Sequence, residues 1–70
     1  MTATAIRNEI RRLRFEHGEM TQQALADLVG ATRQTIIAIE SAKYAPSLEL
    51  AFRIARVFKT DLESVFRYGE

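Results

Sequence analysis

The sequence predicts an all-α fold of five short helices packed crosswise around one core. Three observations predict it. Apolar residues recur at helical spacing, as in Ile6, Ile10 and Leu13, or Ala51, Ile54, Ala55 and Phe58. Thr21, Thr32, Ser47 and Asp61 each stand just before such a stretch, where a helix needs an acceptor for its free N–H groups. No segment alternates apolar with polar residues as a half-buried strand would.

The first helix turns Ile6, Ile10 and Leu13 inward and stops at His17-Gly18, since glycine takes the left-handed conformation freely. Thr21 caps the second, with Leu25, Leu28 and Val29 facing in, and Gly30 ends it early. Thr32 caps the third, which sends Ile36 and Ile39 to the core. After the break at Pro46, Ser47 caps a fourth helix through Phe58. Its stripe of Leu48, Ala51, Ile54, Ala55 and Phe58 is widened by Leu50 and Val57, so it is expected to be the most buried. Asp61 caps a last turn or two holding Leu62, Val65 and Phe66. Residues 1–4 read as flexible, and residues 67–70 as a tail open to helix, strand or disorder.

Helices this short are marginal alone in water and must share a core. The expected core is Ile10, Leu13, Leu25, Leu28, Ile36, Ile39, Ala51, Ile54, Phe58 and Phe66. Seventy residues make a single domain, 1–70.

Composition removes several functions. With 47% hydrophobic residues, Gly 3 and Pro 1, this is a folding chain rather than a disordered one. Cys 0 excludes disulfides and thiolate metal sites, and His 1 leaves no histidine pair for a metal. Apolar runs are too short to span a bilayer, and Met1-Thr2-Ala3-Thr4-Ala5 lacks the order of a signal peptide, so the expected compartment is the cytoplasm. Ser47 and Ser64 have no neighbouring base, the carboxylates are scattered, and no phosphate-binding glycine loop exists. A protein without enzyme activity or cofactor is expected. The net charge of +1 permits a nucleic-acid partner without demanding one.

Residues 21–40 are the informative stretch. They hold two capped helices joined by a turn of about three residues. Ala26 is small where the two would cross, and Ile36 and Ile39 lock the second onto the first. The first turn of the second helix then projects outward with Arg33, Gln34 and Thr35. Arginine offers a two-pronged donor to guanine, and glutamine donates to and accepts from adenine. Thr35 suits a base or a phosphate, while Ile37 and Ala38 suit a thymine methyl. Gln22, at the start of the preceding helix, and Lys43, after the third, suit phosphate groups.

Taken together, Thr21-Gln22, Leu25-Ala26, Leu28-Val29-Gly30, Thr32-Arg33-Gln34-Thr35-Ile36, Ile39-Glu40, Lys43-Tyr44 and Pro46-Ser47-Leu48 resemble the Cro/cI-type (XRE) helix-turn-helix family, small stand-alone members above all. The resemblance implies a lambda-repressor-like domain whose third helix enters the major groove of double-stranded DNA. It implies base contacts by Arg33, Gln34 and Ala38, with Thr35 at the base or phosphate edge. It implies phosphate contacts by Gln22, Lys43 and Tyr44, and a structural ion pair between Arg14 and Glu40. The sequence departs from the family pattern in four places. Glu19 is one residue extra between the first two helices. Ser41-Ala42 replaces the usual Asn-Gly, and Lys59 stands where glycine often ends the fourth helix. Ala38 is apolar where relatives carry a polar base reader.

Arg7, Arg11 and Arg12 read as a solvated face, with contact to the DNA backbone as the lesser alternative, and His17 suits the negative end of the first helix. Phe15, Phe66 and Tyr68 form a candidate dimer patch. One short recognition helix makes few base contacts, and two copies about 34 Å apart multiply specificity. The expectation is a homodimeric repressor on a palindromic operator. The competing reading is an antitoxin or accessory module that uses the same fold to grip a protein partner.

Overall fold

The computed structural model describes residues 4–69 and orders them as β1 (Ile6–Asn8), α1 (Ile10–Glu16), α2 (Gln22–Val29), α3 (Arg33–Glu40), α4 (Leu48–Val57), α5 (Leu62–Val65) and β2 (Phe66–Tyr68). Four of the five helix starts are built as the sequence indicates. The side-chain oxygens of Thr21, Thr32, Ser47 and Asp61 accept from the backbone N–H of Ala24, Thr35, Leu50 and Ser64. Each cap satisfies an otherwise free donor and is worth about 1 kcal/mol.

All five helices meet in one apolar cluster. Ile10 of α1, Leu25 of α2, Ile36 and Ile39 of α3, Ile54 of α4 and Val65 of α5 are fully buried in it. Ala26, Val29 and Ala55 close the gaps between helices. Such burial is worth about 1.5–3 kcal/mol for each large aliphatic side chain, so this cluster dominates the fold's stability.

Several expectations are corrected. The chain is mostly helical but carries an antiparallel two-stranded ribbon, with Ile6 opposite Tyr68, Arg7 opposite Arg67 and Asn8 opposite Phe66. Ile6 therefore belongs to a strand, and α1 begins only at Ile10. Of the conformations left open for the tail, the structure takes strand through Tyr68. Thr4, expected to be flexible, donates its N–H to the Ala42 carbonyl (3.2 Å), and its hydroxyl accepts from Ile6 (3.1 Å). The rest of that expectation falls on residues 1–3, outside the described part. Leu28 is not in the core but 63% exposed, and Leu48 and Phe52 leave one side of α4 open to solvent. Phe66 is 8% exposed and packs into the core of its own chain, so it cannot join a dimer patch, whereas Tyr68 is 81% exposed.

The departures at Ser41-Ala42 and Lys59 do not abolish the left-handed turns. Ala42 takes φ 62 and Lys59 takes φ 56, and the extra Glu19 takes φ 55. Ala42 in this conformation lets the Lys43 N–H reach back to the Ala38 carbonyl (2.9 Å) and closes the end of α3.

A candidate nucleic-acid interface on helix α3

The turn between α2 and α3 depends on Gly30, which takes φ 73 as the residue that ends α2. α3 starts three residues later at Arg33, held by the Thr32 cap, with the Thr32 and Thr35 hydroxyls 3.0 Å apart. Ile36 and Ile39 fix the inner face of α3, so Arg33 and Gln34 stand exposed at its start. Thr35 and Ala38 are half-buried, and Ile37 is exposed on the same side as Arg33. Lys43 and Tyr44 are exposed in the loop beyond α3.

A polar junction holds this platform rigid. Arg14 of α1 donates through Nη2 to Glu40 Oε2 (2.7 Å) and through Nη1 to the Met20 carbonyl (2.7 Å). Gln22 Nε2 of α2 donates to the other oxygen, Glu40 Oε1 (2.8 Å). The Arg14 and Glu40 side chains are 16% and 10% exposed, so the pair is largely desolvated. Asn8 of β1 donates to the Ile39 carbonyl (2.9 Å) and accepts from the Ile10 N–H (3.1 Å). One residue thus ties the end of α3 to the start of α1.

Sequence reasoning identified Arg14 with Glu40 but missed Asn8 and the Gln22–Glu40 bond. Asn8 carried no periodic signal, and a bond between residues 22 and 40 exists only once the helices cross. The grip on Gln22 fixes its amide beside the N-terminus of α2, leaving a second N–H of that amide free.

These elements enclose an open groove lined by α1, the start of α2 and the outer face of α3, with Arg11, Phe15, Gln22, Arg33 and Ile37 along it. Phe15 faces this groove, whereas Tyr68 sits at the end of the ribbon opposite Ile6. The candidate dimer residues are thus not brought together. His17, at the end of α1, has Nδ1 2.9 Å from the Leu13 carbonyl and packs edge-on against Phe58 at 5.1 Å.

A short helix anchored by two isoleucines, capped at its start and set across a tight glycine turn from a supporting helix, defines a helix-turn-helix DNA-binding domain. Residues 10–65 match the helix-turn-helix family model. An uncharacterized HTH-type transcriptional regulator of Methanocaldococcus jannaschii is 48% identical over 65 residues, covering 93% of this chain and 97% of that one. The chain belongs to the Cro/cI-type (XRE) helix-turn-helix family of transcriptional regulators. Among solved structures, a candidate DNA-binding protein of Bacteroides fragilis shares the fold, with TM-score 0.75, 24% identity, and coverage of 89% of this chain and 98% of that chain. The fold is also similar to part of the hydroxypropylphosphonic acid epoxidase of S. wedmorenis, with TM-score 0.66 and 29% identity, over 96% of this chain but only 36% of that chain.

Proposed function

We propose that the protein is a sequence-specific repressor that binds a palindromic operator as a homodimer and performs no catalysis. The observation that carries this reading is the exposed start of α3, where Arg33 and Gln34 are held outward by the buried Ile36 and Ile39. In this reading Arg33 reads guanine and Gln34 reads adenine in the major groove. Thr35, whose hydroxyl is engaged with the Thr32 cap, and Ala38 contact the edge of the same site, with the Ala38 methyl suited to thymine. Gln22, Lys43 and Tyr44 hold the flanking phosphates, Gln22 from an amide already aligned by Glu40.

The dimer has its own support. Leu48 and Phe52 lie one turn apart on α4 and are both exposed, as is Leu28 on α2. Apolar side chains in this number on so small a chain favour contact with a second copy. Binding at an operator in the cytoplasm then blocks polymerase access.

Selection of bound sequences from random duplex DNA tests the assignment. The wild type is expected to enrich a twofold-symmetric sequence. The double variant Arg33→Ala, Gln34→Ala is expected to keep its helical spectrum and lose the enrichment. A variant that still selects the same sequence refutes the base-reading role. A wild type that enriches nothing but copurifies stoichiometrically with a protein favours the antitoxin or accessory reading.

A further inference from the structure

We infer that Arg11 on α1 is a contact to the DNA backbone, which extends the binding surface from the helix-turn-helix onto the first helix. The inference rests on the DNA-binding reading above and adds a residue to it.

Arg11, Arg14 and Phe15 are spaced three and four residues apart and so share one side of α1. That side lines the same groove as Arg33 and Ile37 of α3 and Gln22 at the start of α2. A strand held at the N-terminus of α2, as Gln22 is suited to hold it, therefore runs along the groove that Arg11 and Arg33 also line. The charges along the groove are unequal in their engagements. Arg12 is bound to Glu9 (3.2 Å) and Glu16 (3.1 Å), and Arg14 to Glu40 (2.7 Å). Arg11 and Arg33 make no ion pair among the described residues. Both are exposed. The groove thus keeps two uncommitted guanidinium groups, one on α1 and one on α3, where a phosphate backbone can lie. A guanidinium suits a phosphate because its fork of donors matches two oxygens at once.

A phosphate contact has a signature that separates it from base reading. Each neutralised phosphate contributes about 0.9 to the slope of log affinity against log salt. Affinity is measured from about 50 to about 200 mM salt for wild type, Arg11→Ala and Arg12→Ala, on the selected operator and on a scrambled duplex. Arg12→Ala removes the same unit of charge from an arginine already paired. Arg11→Ala removes one such contact from each copy of the proposed dimer, and is expected to lower the slope by about 1.8 and to narrow its deficit against wild type about 12-fold over that range. Operator and scrambled duplex should lose affinity by the same factor, because no base is read. Arg12→Ala should leave the slope at the wild-type value.

An Arg11→Ala slope equal to wild type overturns the inference, as does an Arg12→Ala variant that falls equally, since long-range charge then accounts for the effect. A wild type with no salt-dependent affinity for duplex DNA overturns the underlying DNA-binding reading itself.

Discussion

Ala42 and Lys59 sit in the left-handed region, at φ 62 and φ 56, where a Cβ clashes with the following carbonyl at a cost of about 1–2 kcal/mol. Glycine removes the clash but loosens the unfolded chain by about 0.4–1 kcal/mol. Ala42→Gly and Lys59→Gly are therefore each expected to stabilise by about 0.5–1 kcal/mol and to raise Tm by roughly 4 °C, as thermal melts would check. Unchanged or lower Tm values would show that the strain is relieved elsewhere. Glu40 presents the opposite case. Its carboxylate receives both Arg14 and Gln22 in a largely desolvated junction. Glu40→Ala leaves a guanidinium buried without its partner and is expected to destabilise by about 3 kcal/mol. The double variant Arg14→Ala, Glu40→Ala should lose clearly less than the sum of the two single losses, because the stranded charge is then gone. Chemical denaturation of the four proteins measures this coupling. The exposed pair Arg33 and Gln34 was legible in the sequence because capping and the Ile36–Ile39 spacing together set the rotation of α3. Asn8 was not, because its acceptors lie on a helix more than thirty residues away.

Helices α2 to α5 were readable from their caps, whereas the ribbon was not, beyond strand being one option for the tail. A strand of three residues is too short to show alternation, and Ile6 precedes Ile10 by a helical interval that its strand geometry does not use. Phe66 follows Val65 without a break, yet the chain turns there from α5 into β2. What fixes the ribbon is tertiary. Glu9 receives Arg67 (2.6 Å) from the far strand and Arg12 (3.2 Å) from α1, and its N–H reaches the Val65 carbonyl (2.8 Å). Those hydrogen bonds, Arg67 first and Arg12 second, hold the Glu9 carboxyl below its ordinary 4.5. A carboxyl depressed on folding stabilises the fold above its unfolded value, and that stability is lost as pH falls through the folded value. Glu9→Gln is accordingly expected to lower Tm at neutral pH and to flatten the decline of Tm on acidification below the ordinary carboxylate range. Tm measured against pH for both proteins tests this, and parallel curves would remove Glu9 from the account. Asp61, lowered by the Ser64 hydroxyl and N–H at the α5 cap, titrates in the same direction and remains as a shared background in both proteins.

At the scale of the whole molecule, size decides how much DNA one copy can read. The described chain measures 31 × 23 × 21 Å, and α3 offers only its first turns outward. One copy therefore covers a single stretch of major groove, while specificity against a genome needs several kcal/mol more than a few base contacts supply. A symmetric pair meets the groove twice on one face of the duplex, with centres about 34 Å or ten base pairs apart. The long dimension of one copy is close to that spacing, so two copies side by side reach adjacent turns without a linker. Inserting about five base pairs between the half-sites rotates one by roughly half a turn, onto the opposite face. Affinity should then drop to that of an isolated half-site and recover in part when about ten are inserted. A titration of duplexes with graded spacers reads this directly. Independent monomers would bind all spacers alike, whereas a dimer locked through Leu48 and Phe52 would show the periodic loss. It would show no such period once Leu48→Glu with Phe52→Glu separates the copies.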